Sequence, residues 1–283
     1  MRTHPVRDKV AVITGAGSGI GRALAIELSA RGARVSGCDL SEDALKETSS
    51  LCRGELHQAV VDMGERDAVR EYAAEVADHF GQVHQIFNNA GIAFNSLILD
   101  SEWADYERVL RVNLHGVVHG TQAFLPHLIA SGDGHVVNVS SMNGYLALPG
   151  MSHYCTSKFA VRGFTESLRT EMLLDRHPVR VSVVHPGGVA TNIADSAVAH
   201  ARAAGVEITP AKEARARTYR EKLLTMDPQR AARIIVDGVE KGRPRIRVGQ
   251  DAIVVDRIVR LLPSSATRMA VHIERRLQKS EHA

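Results

Sequence analysis

The stretch that decides the fold is Thr14-Gly15-Ala16-Gly17-Ser18-Gly19-Ile20-Gly21. A β-branched apolar run, Val10–Thr14, leads directly into these glycines, and apolar positions at helical spacing, Ile20–Ala30, follow them. Glycines at such a turn let backbone N–H groups approach a diphosphate closely, and the N-terminus of the following helix attracts the same anion. The glycine spacing differs from the GxGxxG fingerprint, but a strand before the turn and a helix after it predict a dinucleotide-binding turn.

An acidic residue, Asp39, closes the next β-branched run, 18 residues after Gly21. A carboxylate there accepts hydrogen bonds from the ribose hydroxyls of a dinucleotide and repels a 2′-phosphate. Neither Ser18 nor Leu40 is a Lys or Arg that would neutralise such a phosphate. The sequence therefore predicts NAD in preference to NADP. An alternative role for Asp39 is to cap the segment that begins at Ser41, and the two roles can coexist.

Similar β-branched runs alternate with helical patterns along most of the chain. Strands that alternate with helices predict βαβ units and a parallel sheet covered on both faces. The sequence therefore predicts an α/β fold: a single doubly wound domain with a seven-stranded parallel sheet over residues 1–250, a helical lid insertion at about 194–227, and a C-terminal extension over 251–283. The predicted strands are Val10–Thr14, Arg34–Cys38, His57–Val61, Gln85–Asn88, His135–Ser140, Val179–His185 and Arg245–Val248. The main predicted helices are Ile20–Ala30, Arg66–Phe80, Trp103–Ala130 and Tyr154–Leu174.

The composition excludes several classes of protein. With 44% hydrophobic and 24% charged residues, the 283-residue chain is typical of a globular protein. Its three cysteines form no CxxC pair, which argues against a disulfide scaffold or a zinc site and fits a reducing compartment. We find no stretch of about 18 apolar residues and no apolar region before Gly15, so we expect a cytoplasmic protein without a spanning helix, secretory signal or metal site.

The net charge of +3 is too small to predict a nucleic-acid partner, but the charge is unevenly distributed. Residues 228–283 contain 12 Lys and Arg against 6 Asp and Glu, whereas residues 1–227 contain 23 against 26. Arg243, just before the last predicted strand, and Arg245 and Arg247 within it alternate along the chain, as is typical of a sheet edge. Beyond Asp251 the pattern is amphipathic. This extension is expected to pack on the lid or on a neighbouring subunit, and the alternatives are peripheral membrane contact and disorder.

A possible catalytic group lies further along the chain. Tyr154 and Lys158 are four residues apart in a helical pattern, so they share one face of a helix. A phenol has an ordinary pKa of about 10, which is too high for a base at neutral pH. A nearby ammonium and the positive ring of oxidised nicotinamide lower that pKa, so that Tyr154 can take a proton from an alcohol. Ser141, at a strand end 13 residues before Tyr154, is placed to hold the substrate oxygen. Taken alone, the Tyr-Lys spacing is also typical of an ordinary surface helix.

Six motifs in order identify a resemblance to the short-chain dehydrogenase/reductase family over about residues 8–250. They are the glycine turn, Asp62-Met63, Asn88-Asn89-Ala90-Gly91, Asn113, Ser141 with Tyr154 and Lys158, and Pro186-Gly187-Gly188-Val189 followed by Thr191. The resemblance implies a Rossmann fold and NAD(P)-dependent oxidation or reduction at CH–OH groups.

The resemblance also implies a role for each matched position. Ser141 would orient the substrate oxygen, Tyr154 would be the acid/base, and Lys158 would bind the nicotinamide ribose and lower the Tyr154 pKa. Asn113 would bend its helix and hold a water in a proton relay to Lys158. Asp62 would meet the adenine, and the segment after Pro186 would clamp the nicotinamide. The residues expected to bind the cofactor are Gly15, Gly17, Ser18, Gly19, Ile20, Gly21, Asp39, Leu40, Asp62, Met63, Asn89, Ala90, Gly91, Tyr154, Lys158, Pro186, Gly187, Val189 and Thr191.

The substrate pocket should lie beyond the carboxyl ends of the strands. We therefore expect the pocket to be lined by residues that are largely apolar: Ala93, Phe94, Tyr145–Met151 and Val189–Asp195. We therefore expect an apolar secondary alcohol or ketone, such as a steroid-like, retinoid-like or aliphatic compound. The alternatives are a 3-oxoacyl thioester reductase and a non-catalytic NAD(H)-binding sensor. The family also implies a homodimer or homotetramer built through the Trp103–Ala130 and Tyr154–Leu174 helices.

Overall fold

The computed structural model describes residues 3–193, 213, 217–218 and 220–279. Most of the predicted lid insertion, 194–227, lies outside the described residues. Within the described residues, no helix is both long and apolar enough to span a bilayer.

Seven parallel strands form one sheet in the order β3-β2-β1-β4-β5-β6-β7. This confirms the predicted α/β architecture, and each predicted strand is present with its ends shifted by no more than one residue. The order reverses between β1 and β4, which is where doubly wound sheets bind ligands. The strands are β1 Val10–Thr14, β2 Arg34–Asp39, β3 Leu56–Val60, β4 Gln85–Asn88, β5 Gly134–Val139, β6 Val179–Pro186 and β7 Arg245–Val248.

Helices cover both faces of this sheet. Alternate residues of a strand point to opposite faces, so Ala11 and Ile13 of β1 join one apolar cluster while Val10 and Val12 join the other. Burial on both faces explains why the strands are continuous β-branched runs. The helices are α1 Gly19–Ala30, α2 Glu42–Leu51, α3 Arg66–Phe80, α4 Trp103–Leu110, α5 Gly116–Ala130, α6 Ser152–Leu174, α7 Pro228–Glu240, α8 Gln250–Leu261 and α9 Pro263–Lys279, with single 3-10 turns at Ile98–Asp100 and Met142–Gly144.

The long helix predicted over Trp103–Ala130 is not a regular α-helix. A π-helical turn, Arg111–His115, separates α4 from α5. Its middle residue, Asn113, is fully buried. A π turn places one extra residue in the helix, and such turns are frequent at functional sites.

The C-terminal helices fold back onto the sheet. Val255 of α8 and Ala266 and Ala270 of α9 form an apolar cluster with Tyr145 and Leu146, which follow β5. The described part of the extension therefore packs on its own chain, beside the carboxyl ends of the strands.

A buried carboxylate, that of Asp256, links α8 to the edge strand β7 by a hydrogen bond. Asp256 is only 2% exposed, and its oxygens accept hydrogen bonds from Arg247 Nη1 at 3.0 Å and Arg260 Nε at 2.7 Å. Arg245, also on β7, bonds to Glu166 of α6. Buried carboxylates require such partners, because an unpaired buried charge costs several kcal/mol. Two arginines of the predicted edge strand thus hold neighbouring helices.

Candidate active site

A cavity of about 640 Å³ lies along the carboxyl edge of the sheet. Its volume is within the range of ordinary ligand sites. The loops that follow β1 to β6 line it, together with the start of α6 and residues of α8 and α9. All residues predicted to bind the cofactor line this cavity except Gly17 and Gly21.

The glycine turn lies at one end of the cavity. Gly15 has a φ of +68°, and a Cβ atom there would lie 2.9 Å from the Ala90 Cα, so only glycine fits both the conformation and the space. The N-cap residue of α1, Ser18, makes no side-chain capping bond. The first N–H groups of α1 therefore remain available for an anion, and the positive end of the helix dipole favours one.

Gly17 and Gly21 support the turn from outside the cavity. The Gly17 N–H donates to Asp39 Oδ2 at 2.9 Å. Gly21 passes so close to the Gly15 carbonyl oxygen that any Cβ atom would overlap it. These two glycines shape the turn, and the structure does not place them on the cavity wall.

Asp39 holds the turn and also faces the cavity. Its Oδ1 accepts from the Ser41 N–H at 3.2 Å, while the Ser41 hydroxyl, rather than Asp39, caps α2 by accepting from the Ala44 N–H. A carboxylate has about four acceptor positions, so acceptor capacity remains for a ligand. Arg22, a cation next to the turn, is bound by Glu47 and by the Gly17 carbonyl.

The loops after β3 and β4 line the middle of the cavity. Asp62 accepts from Arg111 Nη1 at 3.0 Å, which fixes its position beside Met63. The Asn89 and Ala90 N–H groups both donate to Thr14 Oγ1 at 3.0 Å. These bonds tie the end of β4 to the end of β1 and leave the adjoining backbone open to the cavity.

Ser141, Tyr154 and Lys158 all face the same cavity. The Ser141 Oγ accepts from the Asn143 N–H at 3.1 Å, so its own proton is free to be donated. Tyr154 and Lys158 lie in the first two turns of α6, and Lys158 Nζ is 5.5 Å from the centre of the Tyr154 ring. Lys158 is 3% exposed and donates to the Val139 carbonyl at 3.1 Å. Burial lowers the pKa of its ammonium to about 8, because the charged form loses hydration.

Asn113 does not line the cavity but lies directly behind it. Its amide nitrogen donates to the Ile92 carbonyl at 2.9 Å and to Ser157 Oγ at 3.0 Å, while its amide oxygen accepts from the Ile92 N–H at 2.8 Å. A Cβ atom on Gly91 would lie 3.2 Å from the Asn113 oxygen and 3.4 Å from Lys158 Nζ. Both groups therefore lie against the Gly91 backbone, and the π turn is what brings Asn113 there.

The expected substrate-pocket residues divide into two groups. Ala93, Leu146, Leu148 and Met151 line the cavity, as do the described residues of the Val189–Asp195 loop apart from Ala190. Ala147, Pro149, Gly150 and two aromatic residues, Phe94 and Tyr145, do not line it. Phe94 is buried behind it with His153, whose ring lies 5.1 Å from that of Phe94. Tyr145 stacks on His185 with ring centres 4.0 Å apart.

The sequence did not identify the wall that the C-terminal helices contribute. Val254, Val255 and Ile258 of α8 and Met269 of α9 line the cavity, together with Asp251. Their apolar spacing predicts helices but does not say which surface they cover. Asp251 was detectable in principle, since it follows β7 at the carboxyl edge of the sheet, where ligands bind.

The comparisons with known proteins agree with this geometry. A family model described as short chain dehydrogenase matches residues 9–202. A Mycobacterium tuberculosis protein named "Putative oxidoreductase SadH" is 48% identical over 264 residues, which cover 92% of this chain and 93% of that protein. The 3-oxoacyl-[acyl-carrier-protein] reductase FabG of Thermotoga maritima is 34% identical, covering 72% of this chain and 84% of that protein. A solved structure, a short chain dehydrogenase/reductase from Burkholderia phymatum in complex with NAD, superimposes with a TM-score of 0.84 at 30% identity and covers 93% of this chain and 95% of that one.

Proposed function

Since this chain belongs to the short chain dehydrogenase family, we propose that it is an oxidoreductase that moves a hydride between NAD and an apolar secondary alcohol or ketone. One observation carries the proposal: a serine hydroxyl, a tyrosine phenol and a buried lysine ammonium line one cavity that begins at an open helix N-terminus. The bound nicotinamide supplies the hydride acceptor or donor.

Tyr154 is the proposed acid/base. In the oxidative direction its oxygen takes the hydroxyl proton of the alcohol, and in the reductive direction it gives that proton to the carbonyl oxygen. Ser141 donates a hydrogen bond to the same substrate oxygen. Because Lys158 is held near the Tyr154 ring in a buried position, its positive charge stabilises the phenolate that forms when the tyrosine gives up its proton. Asn113 holds the Ile92 backbone and Ser157 in place behind these groups.

The residues present fit a dinucleotide. A diphosphate would bind the free N–H groups at the start of α1, and a ribose would bind the remaining acceptor positions of Asp39. We propose NAD over NADP because Asp39 is a carboxylate and because the nearby Arg22 is already bound by Glu47. A 2′-phosphate would then meet a negative charge, and the nearby described cation, Arg22, is already paired.

The apolar part of the cavity lining supports an apolar substrate. Leu146, Leu148 and Met151, together with Val255 and Ile258 of α8, line the cavity and carry no charge. We propose that these side chains hold an aliphatic or fused-ring body while Ser141 and Tyr154 hold its oxygen. Transfer of apolar surface from water stabilises such a complex by roughly 25 cal/mol per Å².

A 3-oxoacyl thioester reductase is the second candidate, since the relative from Thermotoga maritima is a 3-oxoacyl-[acyl-carrier-protein] reductase. It shares the proposed chemistry and differs in substrate and in cofactor preference. A non-catalytic NAD(H) sensor is a third candidate, and turnover of any alcohol separates it from the first two.

We also propose how the chain is organised. Residues 1–250 form the catalytic unit, and 251–283 form an extension that completes its cavity.

A homodimer or homotetramer would bury exposed apolar residues of α4 and α6, such as Trp103, which is 71% exposed, and Phe159. Light scattering measures that assembly. Peripheral membrane contact of the extension stays a prediction from the sequence.

Substitution of Tyr154 tests the function. Tyr154→Phe removes the acid/base and leaves the rest of the cavity unchanged, so we expect turnover to fall at least about 10³-fold on any accepted substrate. The dissociation constant of NADH should change by less than about threefold, because that hydroxyl is one of many contacts.

A panel of secondary alcohols, ketones and 3-oxoacyl thioesters with NAD(H) and NADP(H) identifies the substrate. Substantial residual turnover in the variant would contradict the assignment, and a preference for sugars or charged acids would contradict the apolar substrate.

A further inference from the structure

The glycine loop after β6 is held by a carboxylate from the C-terminal part of the chain. Asp251 lies in the first turn of α8, and its Oδ2 accepts a hydrogen bond from the Gly188 N–H at 2.7 Å. Its Oδ1 accepts from the Ala252 N–H at 2.9 Å. A Cβ atom on Gly187 would overlap both carboxylate oxygens, so the carboxylate rests directly on the loop. One side chain thus joins the start of α8 to the backbone between Pro186 and Val189.

Asp251 also brings a negative charge to the wall of the cavity. Among the residues that the structure describes, no Lys, Arg or His lies within ion-pair distance of it. The other acidic side chains on the wall differ from it. Asp62 pairs with Arg111 at 3.0 Å, and Asp39 lies beside the glycine turn. Within the described part of the chain, the charge of Asp251 is therefore not neutralised by a cationic side chain.

We propose that Asp251 is a positioning residue that favours the oxidised over the reduced cofactor. The inference rests on the proposed function and on the expectation, from the family resemblance, that the Pro186–Val189 loop contacts the nicotinamide. The ring of NAD⁺ carries a positive charge and the ring of NADH carries none, so a carboxylate on this loop attracts only the oxidised form. Asp251 is exposed to solvent, so water partly screens that attraction. The bond to Gly188 holds the loop for both forms.

The ratio of two dissociation constants isolates this effect. The diphosphate, riboses and adenine are common to NAD⁺ and NADH, so their contributions cancel in the ratio. Lys158, the ammonium on the same wall, opposes a positive ring, but it is present in every variant compared. A change of the ratio on substitution of Asp251 therefore reports the charge at that position.

The experiment measures both dissociation constants by isothermal titration calorimetry on the full chain. Asp251→Asn keeps an oxygen acceptor for the Gly188 N–H and removes the charge. We expect the ratio of Kd for NAD⁺ to Kd for NADH to rise about 3- to 10-fold, the size of one screened charge–charge interaction. Asp251→Glu keeps the charge and should stay within about twofold of the parent. Asp67→Asn, on the exposed start of α3, is the matched control and should leave the ratio unchanged.

Each outcome either supports or overturns the proposed role of Asp251. An unchanged ratio in Asp251→Asn overturns the inference and leaves the proposed function standing. A parent chain that binds neither nucleotide overturns both. If Asp251→Asn fails to fold, Asp251→Ser replaces it. The serine hydroxyl offers an uncharged acceptor for the Gly188 N–H, the same rise of the ratio is expected, and an unchanged ratio overturns the inference.

Discussion

Lys158 shows how a residue is identified by its spacing but not by its surroundings. Its distance along the chain from Tyr154 predicts a shared helix face, and both side chains do face one cavity. The sequence does not predict that Lys158 is 3% exposed with the Val139 carbonyl as its hydrogen-bond partner, because that environment comes from β5 and from the loop after β4. The sequence also does not show that Gly15 lines the cavity while Gly21 packs behind the turn, because the surroundings of both glycines come from other parts of the chain.

Lys158→Met should stabilise the nucleotide-free protein while it disables turnover. Burial lowers the pKa of Lys158 to about 8, whereas an unfolded lysine has an ordinary pKa of about 10.4. Between pH 8 and pH 10.4 the lysine is therefore protonated in the unfolded chain but not in the folded one. The loss of folding stability caused by the buried ammonium is complete below pH 8, and it disappears as the pH rises toward 10.4. At pH 7 we expect the free energy of unfolding of the variant to exceed that of the parent by about 1–2 kcal/mol, and turnover to fall at least about 100-fold.

Urea unfolding at pH 7 and pH 10.5 measures the difference. The two proteins should have similar stability at the higher pH, where neither carries the charge. Lys46→Met, on the exposed face of α2, is the control and should change stability by less than about 0.5 kcal/mol. A variant that is less stable than the parent at pH 7 would show that the ammonium does not impose this cost.

Among the elements, the strands were predictable from the apolar pattern, whereas that pattern does not show the π turn and only the family resemblance indicates a bend at Asn113. Strands buried on both faces are mainly apolar, so β1 and the valine-rich β6 stand out as β-branched runs. The helical pattern of residues 103–130 continues through Arg111–His115, because one extra residue in a turn leaves no clear mark on the apolar spacing. The turn is stabilised by the bonds of Asn113 to a loop that is 21 positions away in sequence.

Asn113→Ala should weaken both the fold and the chemistry. It removes the partners of the Ile92 N–H and C=O, and a buried polar group without a partner costs about 1–3 kcal/mol. We expect the free energy of unfolding to fall by about 2–4 kcal/mol and turnover to fall about 10- to 100-fold, since Lys158 lies against the same backbone. Chemical denaturation and steady-state kinetics measure the two effects. Gln122→Ala, on the exposed face of α5, should change neither, and wild-type stability in Asn113→Ala would contradict this role.

At the scale of the whole molecule, the sequence predicted the sheet and the cofactor end of the cavity but not the wall made by α8 and α9. The motifs near the glycine turn lie in short loops next to predicted strands, so the topology alone places them together. The amphipathic pattern of the extension predicts only that one face is covered. The partners that select this position, Tyr145 and Arg247, lie in other parts of the chain and carry no pairing signal in one sequence.

The whole fold should lose stability on mild acidification. His135 and His185 are buried on β5 and β6, and burial lowers the pKa of each to about 3, against about 6.5 in an unfolded chain. Below pH 6.5 the unfolded state therefore binds protons that the folded state does not, and stability falls as the pH falls until about pH 3. Each histidine contributes a slope of up to about 1.4 kcal/mol per pH unit.

Urea unfolding between pH 7 and pH 4.5 measures that slope. His185→Asn should reduce it by up to about 1.4 kcal/mol per pH unit, because the group that gains a proton on unfolding is gone. Asn also keeps a donor for the Ser141 carbonyl, which His185 Nδ1 bonds at 2.9 Å. His272→Asn, on the exposed surface of α9, controls for loss of an imidazole. An unaltered slope in His185→Asn would show that this histidine is not held neutral.

The position of α8 and α9 also has a consequence for folding during synthesis on the ribosome. The glycine turn and β1 to β5 emerge early, whereas the part of the cavity wall that α8 and α9 supply is encoded by the last part of the chain. A nascent chain thus carries the nucleotide turn, the serine and the tyrosine well before it has that wall. Premature termination shortly after β7 yields a polypeptide with its catalytic side chains but with an apolar cavity open to water, which is the kind of surface that chaperones bind and proteases clear.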